Sequence, residues 1–378
     1  MRNLGFHLCI LIFLACFNFP IGCFDNHHVD NQHVQNKRTT NFFVFGDSMF
    51  DPGNNNYLEN INAYRANFKP YGESYFEHPT GRFSDGRLIP DFIAKFANLP
   101  MIPSYYQALH NRSFYGVNFA SGGAGCLDET YSGKVISLNT QLGNFKTVTE
   151  KLKAQLGKKD SEELLSNAIY LFSVANNDYL RLFDIPDMPS DMSCLAYTTE
   201  QEYMNMVMDN FVNVTMEIYK LGGRKFGIQN LLPLGCLPRF RGLAFLKGGH
   251  HGDCLDELNS IVKKHNLALL QKFKQFKKQL RGFEYSYFNM FDALNELFEN
   301  PSTYGFTEAK SACCGFGPYR GFGICGVAEA YELCKNVKEH VIFDSYHPTE
   351  KAFHHFAQVW WQGNPNLVEP QSLKSLLD

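Results

Sequence analysis

Short apolar runs alternate with helix-like stretches from residue 41 to the end of the 378-residue chain. Strand candidates are Phe42–Phe45, Tyr115–Phe119, Ile169–Val174, Lys225–Gln229 and Glu284–Phe288, each β-branched or aromatic and bounded by Gly, Asn or Asp. Helix candidates between them are Ile89–Ala97, Leu138–Leu156, Glu202–Leu221 and Leu255–Leu280. This alternation predicts an α/β fold, a parallel sheet with helices on both faces. In the last helix, Leu255, Leu258, Val262, Leu269, Phe273, Phe276 and Leu280 recur broadly at helical spacing, while Lys263, Lys264, Lys272, Lys277 and Lys278 fall on the other side. We read that side as a solvated face, with a membrane surface as the minor alternative.

Length alone allows one to three domains. No Pro/Ser/Gly-rich linker divides the chain and no fixed-period repeat appears, so one α/β domain is the simplest reading. With 35 basic against 38 acidic residues, the net charge of −3 makes no field for nucleic acid or anionic membrane. In open α/β sheets ligands bind outside the carboxyl ends of the strands, so the chemistry is sought there.

Residues 1–23 read as a secretory signal: Arg2, the apolar run Leu8 to Phe19, Pro20, then small Gly22 and Cys23 near the processing point. The run is too short for a membrane anchor, and no later stretch is apolar enough to span a bilayer. Residues 24–41, with His27, His28 and His33, read as a flexible polar lead-in rather than a metal-binding tract. Residues 366–378 read as a C-terminal tail, with no lipid-anchor or retrieval signal in the polar end Ser372 to Asp378. Asn111 and Asn213 head N-glycosylation triplets, each weak alone. The expected destination is extracellular, with the vacuole as an alternative.

The first strand runs into Gly46-Asp47-Ser48. Gly46 permits a sharp turn, which leaves Ser48 at the mouth of the sheet. A serine there is usually a helix cap, and its hydroxyl needs a base to become a nucleophile. Among 13 histidines, His347 has a particular setting, Asp344-Ser345-Tyr346-His347-Pro348. A carboxylate three residues ahead can bond one ring nitrogen and leave the other for a serine. Asp-x-x-His alone is weak and often a capping arrangement. Pro348 suits the first turn of a following helix. Oxyanion donors are available in the Gly-rich turn Gly116 to Gly125 and at Asn176-Asn177 after the third strand, although each is more often turn chemistry. Together these complete the parts of an acyl-transfer site.

With those residues in view, the chain resembles the GDSL esterase/lipases, or SGNH hydrolases, and most of all their secreted plant branch. Four ordered blocks carry the likeness: Val44-Phe45-Gly46-Asp47-Ser48 with Gly53-Asn54-Asn55-Asn56-Tyr57; Asn118-Phe119-Ala120-Ser121-Gly122-Gly123-Ala124; Asn177-Asp178-Tyr179; and Asp344-Ser345-Tyr346-His347-Pro348-Thr349. The resemblance implies a three-layer α/β/α sandwich around a parallel five-stranded sheet of the flavodoxin-like type, over residues 42–365. It implies Ser48 as nucleophile, His347 as base then acid, and Asp344 as its orienter. It also implies an oxyanion hole from the Ser48 N–H, the Gly123 N–H and the Asn177 side chain. Asp47 adjoins the nucleophile but is not the family's triad acid. No metal or cofactor is implied, the partner is a small-molecule ester with an acyl acceptor as an option, and a monomer is expected. The family's third block usually reads Gly-x-Asn-Asp, and here Ala175 takes the Gly position. Alanine there either strains a positive-φ backbone or narrows the pocket, which bears on substrate and on the acyl acceptor.

Gly321-Phe322-Gly323-Ile324-Cys325-Gly326 matches a dinucleotide-binding pattern, but no strand precedes it. Losing residues 1–23 removes Cys9, Cys16 and Cys23 and leaves eight of the 11 cysteines, an even number that suits disulfides. Cys236–Cys254 and Cys325–Cys334 are the expected local pairs, with a zinc site from the last four cysteines as runner-up. Three functions fit this sequence: an ester hydrolase, an acyltransferase on the same machinery, and a non-catalytic defence or binding glycoprotein. No triad member is missing, which weighs against the third.

Overall fold

A computed structural model describes residues 41–59, 64–109, 115–183, 199–323, 325–326 and 331–377. The signal and lead-in readings, Asn111 and Cys194 therefore lie outside the described residues. The main sheet holds β1 (Phe42–Gly46), β2 (Gly116–Asn118), β3 (Ile169–Ser173), β4 (Lys225–Gln229) and β5 (Glu284–Phe288), all parallel. The pair β6 (Cys314–Gly315) and β7 (Glu332–Leu333) forms a separate antiparallel ribbon, and β8 (Val368–Glu369) pairs antiparallel with β5. The order across the main sheet is β2-β1-β3-β4-β5-β8. The chain steps to one side of β1 for β2 and to the other for β3, so the topological switch point lies beside β1.

The strands read as continuous apolar runs because both faces are covered. On one face Phe43 and Phe45 meet Phe145 of helix Leu138–Asn167, and Phe172 meets Phe211 of helix Glu200–Lys220. On the other, Phe288 stacks on Trp360 of helix Glu350–Gln362, whose indole N–H donates to Ser286 at 3.0 Å. Gly227 makes room for that helix: a Cβ there would stand 2.8 Å from Leu373 and 3.2 Å from Trp360.

The five expected strands form as parallel neighbours, but the sheet has a sixth, β8, inside the stretch read as a tail. Leu373 and Leu376, in the short helix Leu373–Leu377, are buried against the same core. A two-residue strand has no room to show alternation, so nothing in its sequence announces it. The expected helix Leu138–Leu156 stops where the backbone breaks at Gly157 (φ +80), then resumes to Asn167. Helix Glu350–Gln362 starts after Pro348, with Thr349 as the capping side chain.

Cys236–Cys254 pair as expected, but Cys325 and Cys334 do not pair with each other: the bonds are Cys313–Cys334 and Cys314–Cys325. Cys313 lies just before β6 and Cys314 is its first residue; each forms a single bond, and these two take Cys334 and Cys325, so the latter pair cannot bond to each other. Cys313, Cys334 and His340 bring ligand-type atoms together, yet the two sulfurs are joined to each other in one disulfide, which rules out thiolate ligation. Cys126 is buried and bonded to no described cysteine.

His265 is buried, hydrogen-bonded through Nδ1 to the Tyr179 hydroxyl at 2.8 Å, and burial pushes its pKa down to about 3. A histidine kept neutral in the fold contributes stability above its unfolded value, about 6.5, that is lost as pH falls towards the folded value. Between pH 7 and pH 5 the native chain should lose about 2 kcal/mol through this group. Replacing it, His265→Gln, should cost stability at pH 7, and urea titrations should find that cost smaller by about 2 kcal/mol at pH 5. An equal cost at both pH values would contradict this.

Candidate active site

At the carboxyl end of β1, Gly46 takes φ +147, and a Cβ there would stand 2.0 Å from the Ser173 carbonyl oxygen. The buried Gln141 amide accepts from Gly46 N–H and donates to Gly46 O, both at 2.9 Å, while Asp47 N–H donates to Ser173 O at 2.9 Å. These bonds fix the turn that carries Ser48. The turn is closed by the Asp47 carboxylate, which accepts from Met49 N–H at 3.0 Å, and by Phe50 and Asp51 N–H donating to Asp47 O.

Ser48 Oγ lies 2.7 Å from His347 Nε2. His347 Nδ1 lies 2.8 and 2.9 Å from the two carboxylate oxygens of Asp344. With the carboxylate accepting at Nδ1, that nitrogen carries the proton and Nε2 is left to accept from the serine hydroxyl. Asp344 Oδ1 also accepts from the backbone N–H of Tyr346 (2.9 Å) and His347 (2.8 Å), and Oδ2 from the Tyr71 hydroxyl at 2.7 Å. Burial opposes the charged carboxylate, but the facing imidazole and these donors outweigh it and hold the Asp344 pKa below its ordinary value. Tyr71 sits among Phe68, Phe83 and Phe343, so its hydroxyl is aimed by an aromatic cage.

Gly123 and Asn177 face the same cavity as Ser48 and His347. Gly123 has φ +84, and a Cβ would stand 2.5 Å from the Tyr64 ring, so only glycine fits. Its turn is fastened from two sides. On one, Asp51 Oδ2 accepts from Gly122 N–H (2.8 Å), Asn55 Nδ2 donates to Gly122 O (2.9 Å), and Ser121 donates to Asn55 Oδ1 (2.5 Å). On the other, Asn177 Nδ2 donates to Ala124 O (2.9 Å), and Asp178 accepts from Cys126 and Leu127 N–H and from Thr130 Oγ1. The Gly-Asn-Asn-Asn block thus serves the geometry of a turn more than sixty residues away. Burial raises Asp47, Asp51 and Asp178 to about 6 against the hydrogen bonds that lower them. Asp47 is held by Asn176 Nδ2 at 3.0 Å and does not contact His347, so it cannot orient the ring.

The cavity holds about 290 Å³ and is walled largely by Tyr64, Tyr71, Phe83, Tyr131, Leu180 and Tyr346. Gly323 and Cys325, from the glycine-rich loop that mimics a nucleotide motif, also line it. Ala175 is buried, has φ +85 and is not among the described residues of the cavity wall, so its effect is strain rather than a narrowed pocket. Relief of that strain should make Ala175→Gly more stable by about 1 kcal/mol in denaturant unfolding. Unchanged or lower stability would contradict it. Asn213 is exposed on helix Glu200–Lys220, while Thr215 of the same triplet is buried and donates to Phe211 O at 3.0 Å.

Sequence reasoning missed Tyr71, Gln141 and Asp51. Tyr71 is 273 positions from Asp344, with no periodicity or spacing to link them. Gln141 sits in the first turns of a helix, and its signal is only a polar residue on an otherwise apolar face.

A serine, an imidazole and a carboxylate in line at the carboxyl edge of a doubly wound sheet form the kind of site that serine hydrolases use. Residues 42–360 match the family described as GDSL-like Lipase/Acylhydrolase. The chain is 43% identical over 364 residues to GDSL esterase/lipase 1 of Arabidopsis thaliana, covering 95% of this chain and 94% of that protein. It is 41% identical over 377 residues to a GDSL lipase of Tanacetum cinerariifolium, covering 100% and 95%. GDSL esterase/lipase 5 of Arabidopsis thaliana is 41% identical over 343 residues, covering 89% and 85%. The chain belongs to the GDSL lipase/acylhydrolase family and is a hydrolase of that family. No helix among the described residues is long and apolar enough to cross a membrane.

Proposed function

We propose that the protein is a secreted serine esterase or lipase that cleaves carboxylic esters through an acyl-Ser48 intermediate. The observation that carries this reading is the hydrogen-bonded line Ser48–His347–Asp344. Ser48 Oγ attacks the ester carbonyl as its proton passes to His347 Nε2. The resulting oxyanion is held by the Ser48 and Gly123 backbone N–H groups and by the Asn177 amide, which keeps a second N–H beyond the one given to Ala124. His347 returns the proton to the leaving alcohol, and water then repeats the sequence on the acyl group. Asp344 fixes the ring tautomer and stabilises the imidazolium throughout. Three disulfides and the signal-like residues 1–23 support an oxidising, extracellular destination, where Asn213 would carry glycan.

The aromatic wall of the cavity favours a second reading, acyl transfer to an alcohol or acid acceptor that displaces water. A short 4-nitrophenyl ester, offered alone and with a mixture of hydroxylated acceptors, separates the two. Free acid at every acceptor concentration supports hydrolysis. A new ester that grows with acceptor supports transfer, and no turnover at all overturns both.

A further inference from the structure

Among the described residues, the cavity wall carries one arginine and one carboxylate, and they do not neutralise each other. Asp344, the carboxylate, is committed to His347, to Tyr71 and to two backbone N–H groups. Arg65 has no carboxylate partner among the described residues. Its Nε donates to Asn55 O at 3.1 Å and its Nη2 to Leu58 O. Those two donors form one edge of the guanidinium, and both go to backbone carbonyls. The terminal edge, from Nη1 to Nη2, keeps its remaining N–H groups. Elsewhere in the domain, Arg82 bonds both oxygens of Asp91 at 2.8 Å, and Arg87 is paired with Glu350. Arg65 is thus a half-buried cation, its plane fixed by backbone, in the same small cavity as Ser48.

We propose that Arg65 is a specificity residue that binds a carboxylate carried by the substrate, which makes the preferred substrates esters with a second, anionic group. A planar guanidinium offers two parallel donors that match a carboxylate, a fit that an ammonium lacks. At about 290 Å³ the cavity lies at the low end for ligand sites, so the anionic group and the scissile ester belong to one compact molecule. The carboxylate is on either the acyl side or the alcohol side of the ester. This inference rests on the esterase reading above.

Two matched pairs of esters test it with the whole protein. The acyl-side pair is mono-4-nitrophenyl glutarate and its terminal amide; the alcohol-side pair is 4-acetoxybenzoate and 4-acetoxybenzamide. The wild type should favour the carboxylate member of one pair by at least about tenfold in kcat/KM. Which pair shows the preference tells which side carries the anion. That ratio should collapse towards one in Arg65→Met and be partly retained in Arg65→Lys. Should loss of the carbonyl ties unfold Arg65→Met, competitive inhibition of the wild type by glutarate or 4-hydroxybenzoate, and not by the corresponding amides, serves the same purpose. Wild-type ratios at or below one in both pairs, an unchanged ratio in Arg65→Met, or equal inhibition by acids and amides would overturn the proposal while leaving an active esterase. No turnover of any of the four esters by folded protein would overturn the esterase reading itself.

Discussion

Replacing Ser48 with alanine should lower ester hydrolysis by about 10⁴-fold or more, with thermal stability almost unchanged. The two halves of that expectation have separate causes. The Ser48 hydroxyl is the atom placed 2.7 Å from His347 Nε2, and alanine leaves nothing for the imidazole to activate. The turn, in contrast, is held by Gly46, Asp47 and Gln141 through backbone and side-chain bonds that do not involve the serine hydroxyl. Hydrolysis of a short 4-nitrophenyl ester, measured beside a melting curve, checks both. Equal activity of variant and wild type would remove Ser48 from the chemistry.

Asp344→Asn should cost on the order of 10³–10⁴ in kcat with a small change in KM. Asp344 Oδ1 accepts from two backbone N–H groups, so in the variant that position must stay an oxygen. The amide nitrogen then takes the place of Oδ2, 2.9 Å from His347 Nδ1 and 2.7 Å from the Tyr71 hydroxyl. That donor competes with Oδ1, which stays 2.8 Å from Nδ1, so the proton is no longer held on Nδ1, and the ring with its proton on Nε2 cannot accept from Ser48. Tyr71→Phe supplies the contrast. It removes one donor to the carboxylate but leaves the ring tautomer, so its loss should be far smaller than that of Asp344→Asn. Comparable losses would mean that the carboxylate acts through its charge balance rather than through the tautomer.

Much of this architecture was legible in the sequence, for reasons particular to each element. Lys225–Gln229 and Glu284–Phe288 form as read because short apolar runs between turn residues have few other ways to bury themselves. Ser48, His347 and Asp344 could be picked out because each follows an apolar run and the spacing of Asp344 and His347 fits a single turn. Partners distant in sequence were the part that could not be read. Tyr71 meets Asp344 only because a loop folds back over the strand-end face, and the choice between Cys325 and Cys313 as the partner of Cys334 depends on which of them the fold brings to it. The strand β8 is too short to leave a pattern. Ala175 lies between these cases: its departure from glycine was visible, but only φ +85 shows that the outcome is strain.

The central claim is that Ser48 is the nucleophile and that His347 activates it. Labelling with a fluorophosphonate, followed by peptide mapping, tests this most directly. The account predicts one adduct per chain, on Ser48, absent after denaturation and formed far more slowly in His347→Ala. An adduct on another residue, or none in folded protein, would contradict it.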